Sequence, residues 1–170
     1  MIHIYTGCGK GKTTAAVGLA VRAAGAGLRV YFLQMMKDGS SSEIAMLQKL
    51  GIETYGCPNG GKFVSRMTDE EKRLLAGDLS DILSKAKALL SEGKADLLVI
   101  DEFFCALSSG LLGSKSAEEL ILGYKGSAEI VLTGRNACKP YTDSADYITE
   151  LKELEHPYKK GVSARKGIEF

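Results

Sequence analysis

A glycine-rich stretch near the start of the chain, Gly7-Cys8-Gly9-Lys10-Gly11-Lys12-Thr13-Thr14, constrains the fold more than any other feature. It follows a short apolar segment at residues 2–5 and precedes a run of Ala, Val and Leu. Glycines disfavour helix and strand within the stretch, and they let successive backbone N–H groups converge on one point without Cβ clashes. The pattern predicts a strand, a phosphate-binding loop and a helix, in that order.

The residues after the glycines carry the expected chemistry. Lys12 would bring a positive charge to bound phosphates, and the Thr13 hydroxyl is a suitable Mg²⁺ ligand. The common pattern G-x-x-x-x-G-K-[ST] would place glycine at position 6, where this chain has Thr6, so the loop is a compact form. A plain glycine turn is the alternative, but Gly-Lys-Thr-Thr stands at the predicted helix start, where free N–H groups attract anions. The predicted nucleotide-binding residues of the loop are Gly7, Cys8, Gly9, Lys10, Gly11, Lys12, Thr13 and Thr14.

Composition limits the classes of partner and compartment. A chain of 170 residues suits one domain, here taken as residues 1–170. A formal net charge of +1 gives no electrostatic reason to expect nucleic acid or a membrane as partner. The four cysteines are scattered without a C-x-x-C pair, which is typical of a reducing cytosol rather than of a disulfide framework or zinc site. No signal-peptide layout precedes the first strand, so a cytoplasmic location is expected.

A second motif lies in the middle of the chain. Residues 97–100 are four apolar residues, and Asp101 and Glu102 follow them. A buried strand that ends in two acids can present an oxygen ligand to Mg²⁺ opposite a phosphate loop. A later predicted strand, residues 128–133, ends in Gly134-Arg135, and this arginine can reach a phosphate or ribose unless it is an ordinary loop residue.

Predicted strands alternate with predicted helices, which indicates an α/β fold with a mostly parallel sheet and helices on both faces. Ligands in such sheets bind at the carboxyl ends of the strands, where Gln34 and the motifs above would gather. Capping-box spacing predicts three helix starts, at Ser40 with Glu43, Thr68 with Glu71, and Ser116 with Glu119. A glycine-rich loop at residues 56–67 carries one large apolar residue, Phe63, and is interpreted as a binding loop. The residues alone therefore predict a protein that binds Mg²⁺ and a nucleoside triphosphate. The sequence has neither the Asn-Lys-x-Asp motif by which GTPases recognise guanine nor a recognisable kinase lid.

A wider set of motifs resembles the P-loop ATP:corrinoid adenosyltransferases over nearly the whole chain. In order, these motifs are the glycine loop with Ala15-Ala16, Gln34-x-x-Lys37-x-Gly39, Asp101-Glu102, Thr133-Gly134-Arg135, Ala145-Asp146-x-x-Thr149-Glu150, and His156-Pro157-x-x-x-x-Gly161-Val162-x-Ala164-x-x-Gly167-Ile168-Glu169-Phe170. The C-terminal motif is the most specific part, and the resemblance implies that the tail closes the site. It also implies a P-loop NTPase fold of the RecA-like type.

The resemblance implies transfer of the 5′-deoxyadenosyl group of ATP to the cobalt of a reduced corrinoid, cob(I)alamin or cobinamide, with release of triphosphate. Lys12 and Glu102 would be catalytic, and Thr13, Glu102 and Asp101 would hold Mg²⁺ or Mn²⁺. Arg135 would contact the nucleotide, and Phe63 would bind the corrinoid. A homodimer and a reductase that supplies cob(I) are further expectations from the family. Such a reaction in cobalamin biosynthesis needs no general base, in keeping with the two histidines of the chain.

The chain departs from the family pattern at two informative positions. Cys8 stands where members often have Asn, and Ser65 stands two residues after Phe63 where well-known members have Trp. The chain has no Trp. A P-loop ATPase or ATP-binding module that has lost corrinoid chemistry is therefore the alternative function.

Overall fold

Parallel strands form one sheet in the computed structural model, which describes residues 1–168. Glu169 and Phe170 of the C-terminal motif lie outside the described residues. The strands of the described part are β1 (Ile2–Thr6), β2 (Val30–Gln34), β3 (Glu53–Gly56), β4 (Leu97–Asp101), β5 (Glu129–Thr133) and β6 (Tyr147–Glu150). Their order across the sheet is β3-β2-β4-β5-β1-β6, and every pairing is parallel. The predicted parallel α/β sheet is confirmed.

Helices connect the strands. Within residues 1–168 they are α1 (Lys12–Gly25), α2 (Ser42–Lys49), α3 (Asp69–Ser91), α4 (Phe103–Ser108), α5 (Ser114–Leu122) and α6 (Tyr141–Ser144). Two 3₁₀ turns, Val64–Arg66 and Pro157–Lys160, lie in the loop at residues 56–67 and in the tail. None of the helices between residues 1 and 168 combines the length and apolar character that a bilayer crossing requires.

The sheet separates two apolar cores, which places helices on both of its faces. Small residues of α1 (Ala16, Ala20 and Ala23) pack with Val99 and Val131 on one face. Leu98, Ile100, Ile130 and Leu132 point to the other face and pack against α3, α4 and α5. Because successive side chains of a strand point to opposite faces, strands buried on both sides read as continuous apolar runs.

One of the three predicted capping boxes is present. Thr68 accepts a hydrogen bond from the backbone of Glu71, whose side chain accepts from the Thr68 backbone, and α3 begins there. One face of α3 is apolar and buried, and its residues include Leu75, Leu79, Ile82, Ala86 and Leu89.

The predictions of the other two capping boxes were wrong. The helix α2 has Ser41 as its N-cap, and Glu43 instead accepts a hydrogen bond of 3.0 Å from Gln34. The helix α5 begins two residues before Ser116, after Gly113, and has no side-chain cap hydrogen bond. In both places the spacing matched by chance, because competing tertiary contacts or an earlier helix start decided the geometry.

Helix α4 was not predicted, and it follows from a sharp turn at Glu102. Glu102 has a left-handed φ of 60°, which reverses the chain directly after β4. Gly134 lies against the start of this helix, where an added Cβ would come within 2.8 Å of the Phe104 Cβ. A side chain at position 134 would therefore separate β5 from α4.

Candidate active site

The glycine loop is held from behind by the segment that follows β6. The Gly9 N–H donates to the Leu151 carbonyl at 2.8 Å. A Cβ at Gly9 would lie 2.7 Å from the Lys152 carbonyl carbon, and a Cβ at Gly7 would collide with the Leu151 carbonyl oxygen. The close approach of two backbones therefore requires glycine at both positions.

The Lys12 side chain folds back onto the glycine loop and bonds its backbone. Its Nζ donates to the carbonyls of Gly7 and Gly9, at 2.8 Å each. Gly11 precedes α1 with a left-handed φ of 114° and supplies no side-chain cap. The first-turn N–H groups of this 14-residue helix thus remain available to an anion.

Asp101 joins the phosphate loop to the neighbouring strands. Its side chain is fully buried at the end of β4. Oδ1 accepts from the hydroxyls of Thr13 at 2.9 Å and Thr133 at 2.7 Å. Oδ2 lies 3.4 Å from Lys37 Nζ. These donors compensate the cost of burying a carboxylate, and they fix the Thr13 hydroxyl over the loop.

Glu102 is placed by the same network. Its backbone N–H donates to the Thr133 hydroxyl at 3.0 Å, and the turn at its left-handed φ directs the chain to the cavity edge. Burial, together with the nearby Glu102 carboxylate, raises the pKa of the Cys105 thiol to about 11. Cys105 therefore stays protonated at neutral pH and does not act as a thiolate nucleophile.

Thr13, Asp101 and Glu102 offer a hydroxyl and two carboxylates, which are the hard oxygen donors that Mg²⁺ prefers. In residues 1–168 no group of three or more His, Cys, Asp or Glu side chains is arranged to hold a metal alone. Mg²⁺ in nucleotide sites binds through one or two carboxylates together with phosphate oxygens and water. The donor set therefore fits a metal that binds together with the nucleotide.

A cavity of about 290 Å³ opens above these residues. It is lined by Cys8, Gly9, Lys10, Gly11, Lys12, Thr13, Thr14, Lys37, Glu102, Arg135, His156 and Ile168. Four of the lining side chains are Lys or Arg and one is Glu, so the cavity favours an anion with several charges. Most predicted nucleotide-binding residues thus meet at one place, and Asp101 reaches it through Thr13.

Four predicted residues do not line this cavity: Gly7, Gln34, Phe63 and Asp101. Gln34 is fully buried, donates to Glu43, and has no partner for its Oε1 among the described residues. Phe63 is 75% exposed on its loop, and the Arg66 guanidinium lies 5.7 Å from the centre of its ring. That loop is attached near the site, because the Gly61 N–H donates to the Met36 carbonyl at 2.9 Å, next to Lys37.

Three residues of the site had no predicted role. Thr133 links Asp101 to Glu102, Lys37 adds a cation to the cavity, and His156 brings the tail against the loop. All three belong to the motifs that carry the family resemblance, and this was the feature of the sequence that could have identified them. Their contacts depend on strand order and on the path of an aperiodic tail, neither of which local sequence specifies.

Comparison with known proteins is consistent with this arrangement. The sequence pattern of the family described as ATP:corrinoid adenosyltransferase BtuR/CobO/CobP matches residues 1–170. A corrinoid adenosyltransferase of Pseudomonas aeruginosa is 30% identical over 171 residues, covering 100% of this chain and 83% of the relative. The corrinoid adenosyltransferase CobA of Salmonella typhimurium is 28% identical, covering 100% of this chain and 85% of its own length. The Escherichia coli K12 corrinoid adenosyltransferase is 26% identical with the same coverage of 100% and 85%.

These matches extend over the whole chain and include both the glycine loop and the tail. They favour the adenosyltransferase over the alternative of an ATPase without corrinoid chemistry. The chain belongs to the ATP:corrinoid adenosyltransferase family BtuR/CobO/CobP, and it is an enzyme that transfers the adenosyl group of ATP to a corrinoid.

Proposed function

We propose that the cavity above the glycine loop holds the triphosphate of ATP as a leaving group. The observation that supports this most directly is the ring of Lys10, Lys12, Lys37 and Arg135 around a loop whose Thr13 is fixed by Asp101. Lys12 exchanges its two loop carbonyls for phosphate oxygens. Arg135, which is exposed at the end of β5, contacts the nucleotide from the opposite side.

Thr13 and Glu102 hold Mg²⁺ or Mn²⁺ in this proposal, and Asp101 supports Thr13. The metal supplies charge neutralisation at the triphosphate. Removal of divalent metal with EDTA should abolish turnover, and either ion should restore it. Mn²⁺ bound with ATP should give an altered electron paramagnetic resonance spectrum, which the Glu102→Gln variant should lose.

The reaction forms a cobalt–carbon bond and breaks the C5′–O5′ bond of ATP. The reduced corrinoid provides the electron pair, and the pair of the broken bond leaves with triphosphate. No proton has to be removed, so no general base is needed. The protein residues instead orient C5′ and stabilise the charge that grows on the leaving group. His3 is not near this chemistry, because it bonds Glu129 at 2.8 Å and stacks on Tyr147.

Phe63 receives the corrinoid on its loop. Its exposed ring is typical of a residue that packs against a large planar ligand, and Arg66 covers one face. Phe63→Ala should raise KM for the corrinoid and leave KM for ATP nearly unchanged. Val64→Ala, at the neighbouring half-buried position, is the matched control. Equal changes in both KM values would contradict this role.

One assay tests the whole assignment. Protein, Mg²⁺, ATP and chemically reduced cobalamin are mixed, and the visible spectrum is followed for a light-sensitive cobalt–carbon product while triphosphate is quantified. Lys12→Ala should lower kcat by about 10²-fold or more, because one charge-stabilising group is lost. Lys49→Ala, at the exposed end of α2, is the control. Formation of ADP and phosphate without a spectral change would contradict the proposal.

We also propose that residues 1–170 act as one domain in the cytoplasm, that the protein is a homodimer, and that a reductase supplies cob(I) in the cell. Support comes from membership of the family and not from a contact within the chain. Light scattering after size-exclusion chromatography measures the mass directly. A monomer that retains full activity would contradict the dimer.

A further inference from the structure

His156 is a residue of the phosphate cavity that the roles above do not use. It lies in the tail, directly before the 3₁₀ turn Pro157–Lys160, and lines the cavity together with Lys12, Glu102 and Arg135. Its side chain is half-buried, unlike the exposed residues that follow it. A polar ring among the lining residues can contact what the cavity binds.

The hydrogen bonds of His156 fix which ring nitrogen carries the proton. Nδ1 accepts from the Tyr158 backbone N–H at 3.2 Å, and this bond caps the turn. A ring nitrogen that accepts has no hydrogen, so the hydrogen of the neutral imidazole is on Nε2. Among residues 1–168, no hydrogen bond or ion pair engages Nε2, and the carboxylate that interacts electrostatically with the ring, Glu153, is paired with Lys159. The ring therefore offers one free N–H donor.

The tail segment that carries His156 is tied down on both sides of it. Leu151 donates to the Thr6 carbonyl at 2.8 Å and accepts from the Gly9 N–H at the same distance. Beyond His156, Lys159 bridges back to Glu153 at 2.7 Å. The ion pair between Lys159 and Glu153 closes a short loop around His156. The capped ring is therefore held beside the glycine loop.

We propose that His156 donates its Nε2–H to the triphosphate of ATP and strengthens this bond as charge builds on the leaving group. The inference rests on the proposed placement of triphosphate above the glycine loop. Hydrogen bonds to ionised oxygens are the strong ones, and a donor fixed before the reaction costs no reorganisation during it. His156 is then a catalytic residue, and its backbone cap is what aims it.

Two substitutions separate the donor from the cap. In His156→Asn, the amide oxygen can replace Nδ1 as the acceptor of the cap, but no group reaches the position of Nε2. In His156→Gln, the amide NH₂ can replace Nε2–H. The probe is inorganic triphosphate with Mg²⁺, titrated by calorimetry, and kcat and KM for ATP are measured alongside.

His156→Asn should bind inorganic triphosphate about tenfold more weakly or worse, the range expected for one hydrogen bond to a charged group. It should also lower kcat for adenosyl transfer, while His156→Gln stays close to the wild type in both. Unchanged binding and kcat in His156→Asn would overturn the inference and leave only a capping role. Equal losses in both variants would overturn it too, because the amide donor then fails to rescue.

The same titration separates this inference from the proposed function. If the wild-type protein binds inorganic triphosphate and makes the cobalt–carbon product, failure of the His156 series concerns His156 alone. A wild-type protein that makes the product without binding triphosphate would contradict the placement of triphosphate, and the inference with it.

Discussion

The carboxylate of Asp101 is connected to the cavity through Thr13 and Lys37, because it is fully buried and does not line the cavity itself. A strand that ends in Asp-Glu does not reveal from its sequence which of the two acids is buried and which lines the cavity. Only Glu102 reaches the cavity, since its left-handed turn carries it past the edge of the sheet. At the scale of single residues, the sequence predicted two acids at the end of this strand, and the parallel register of β4 beside β5 determines where each of them lies.

Asp101→Asn should reduce both stability and activity. The amide keeps one acceptor but brings an NH₂ group among the donors Thr13, Thr133 and Lys37. We expect the free energy of unfolding to fall by about 1–3 kcal/mol, the cost of leaving a buried donor unpaired. Urea denaturation measures it. Asp81→Asn on the exposed side of α3 is the control, and an equal effect there would contradict the explanation.

At the scale of elements, the glycine loop and the tail form one unit. The loop was predictable because its glycines and Lys-Thr pair stand at a helix start. The contact with Leu151 was not, because the tail has no periodic pattern and touches the loop only once β6 has paired with β1. The same limit explains why two capping boxes failed while the box of the long, periodic α3 was found.

Gly9→Ala should break this unit. The added Cβ would meet the backbone of Leu151 and Lys152, at 2.8 and 2.7 Å, and neither chain can withdraw without losing the Gly9–Leu151 hydrogen bond. ATP affinity measured by calorimetry should fall steeply. Gly18→Ala is a matched control in α1, where a Cβ meets nothing within 4 Å. That control should stabilise the protein by about 0.5–1 kcal/mol, as alanine does in a helix.

Thr68→Ala should destabilise α3 through its N-terminus. Loss of the capping box is expected to lower the free energy of unfolding by about 0.5–2 kcal/mol, with little change in KM for ATP. Ser116→Ala, inside α5 and without a cap bond, should leave stability nearly unchanged. Equal urea midpoints for the two variants would show that the box at Thr68 contributes nothing.

At the scale of the whole molecule, an ion pair joins the amino-terminal ends of two neighbouring strands, at the end of the sheet opposite the site. Arg29 holds Asp96 through two side-chain hydrogen bonds of 2.9 and 2.7 Å, just before β2 and β4 begin. The Arg29 hydrogen bonds lower the pKa of Asp96 from an ordinary 3.8 to about 2. The folded state therefore binds this proton less readily than the unfolded chain does.

The stabilisation from Asp96 should be fully present above about pH 4 and be lost as pH falls towards 2. Asp96→Asn should lower the urea midpoint at pH 7 by a small amount, because both partners are partly exposed. The gap between variant and wild type should close below pH 4 in urea titrations at several pH values. Adenosyl transfer at pH 7 should be unaffected, and a gap that widens in acid would reverse the assignment.

The position of β1 between β5 and β6 has a consequence for biosynthesis. The strand that carries the glycine loop is synthesised before both of its partners in the sheet, which begin only at Glu129 and Tyr147. Leu151, which backs the loop, is made later still. The growing chain therefore keeps β1 unpaired until the residues of β5 and β6 have been made, a period in which chaperones and aggregation compete for it. Competence to bind ATP therefore depends on contacts that form only after β6 and Leu151 have been made.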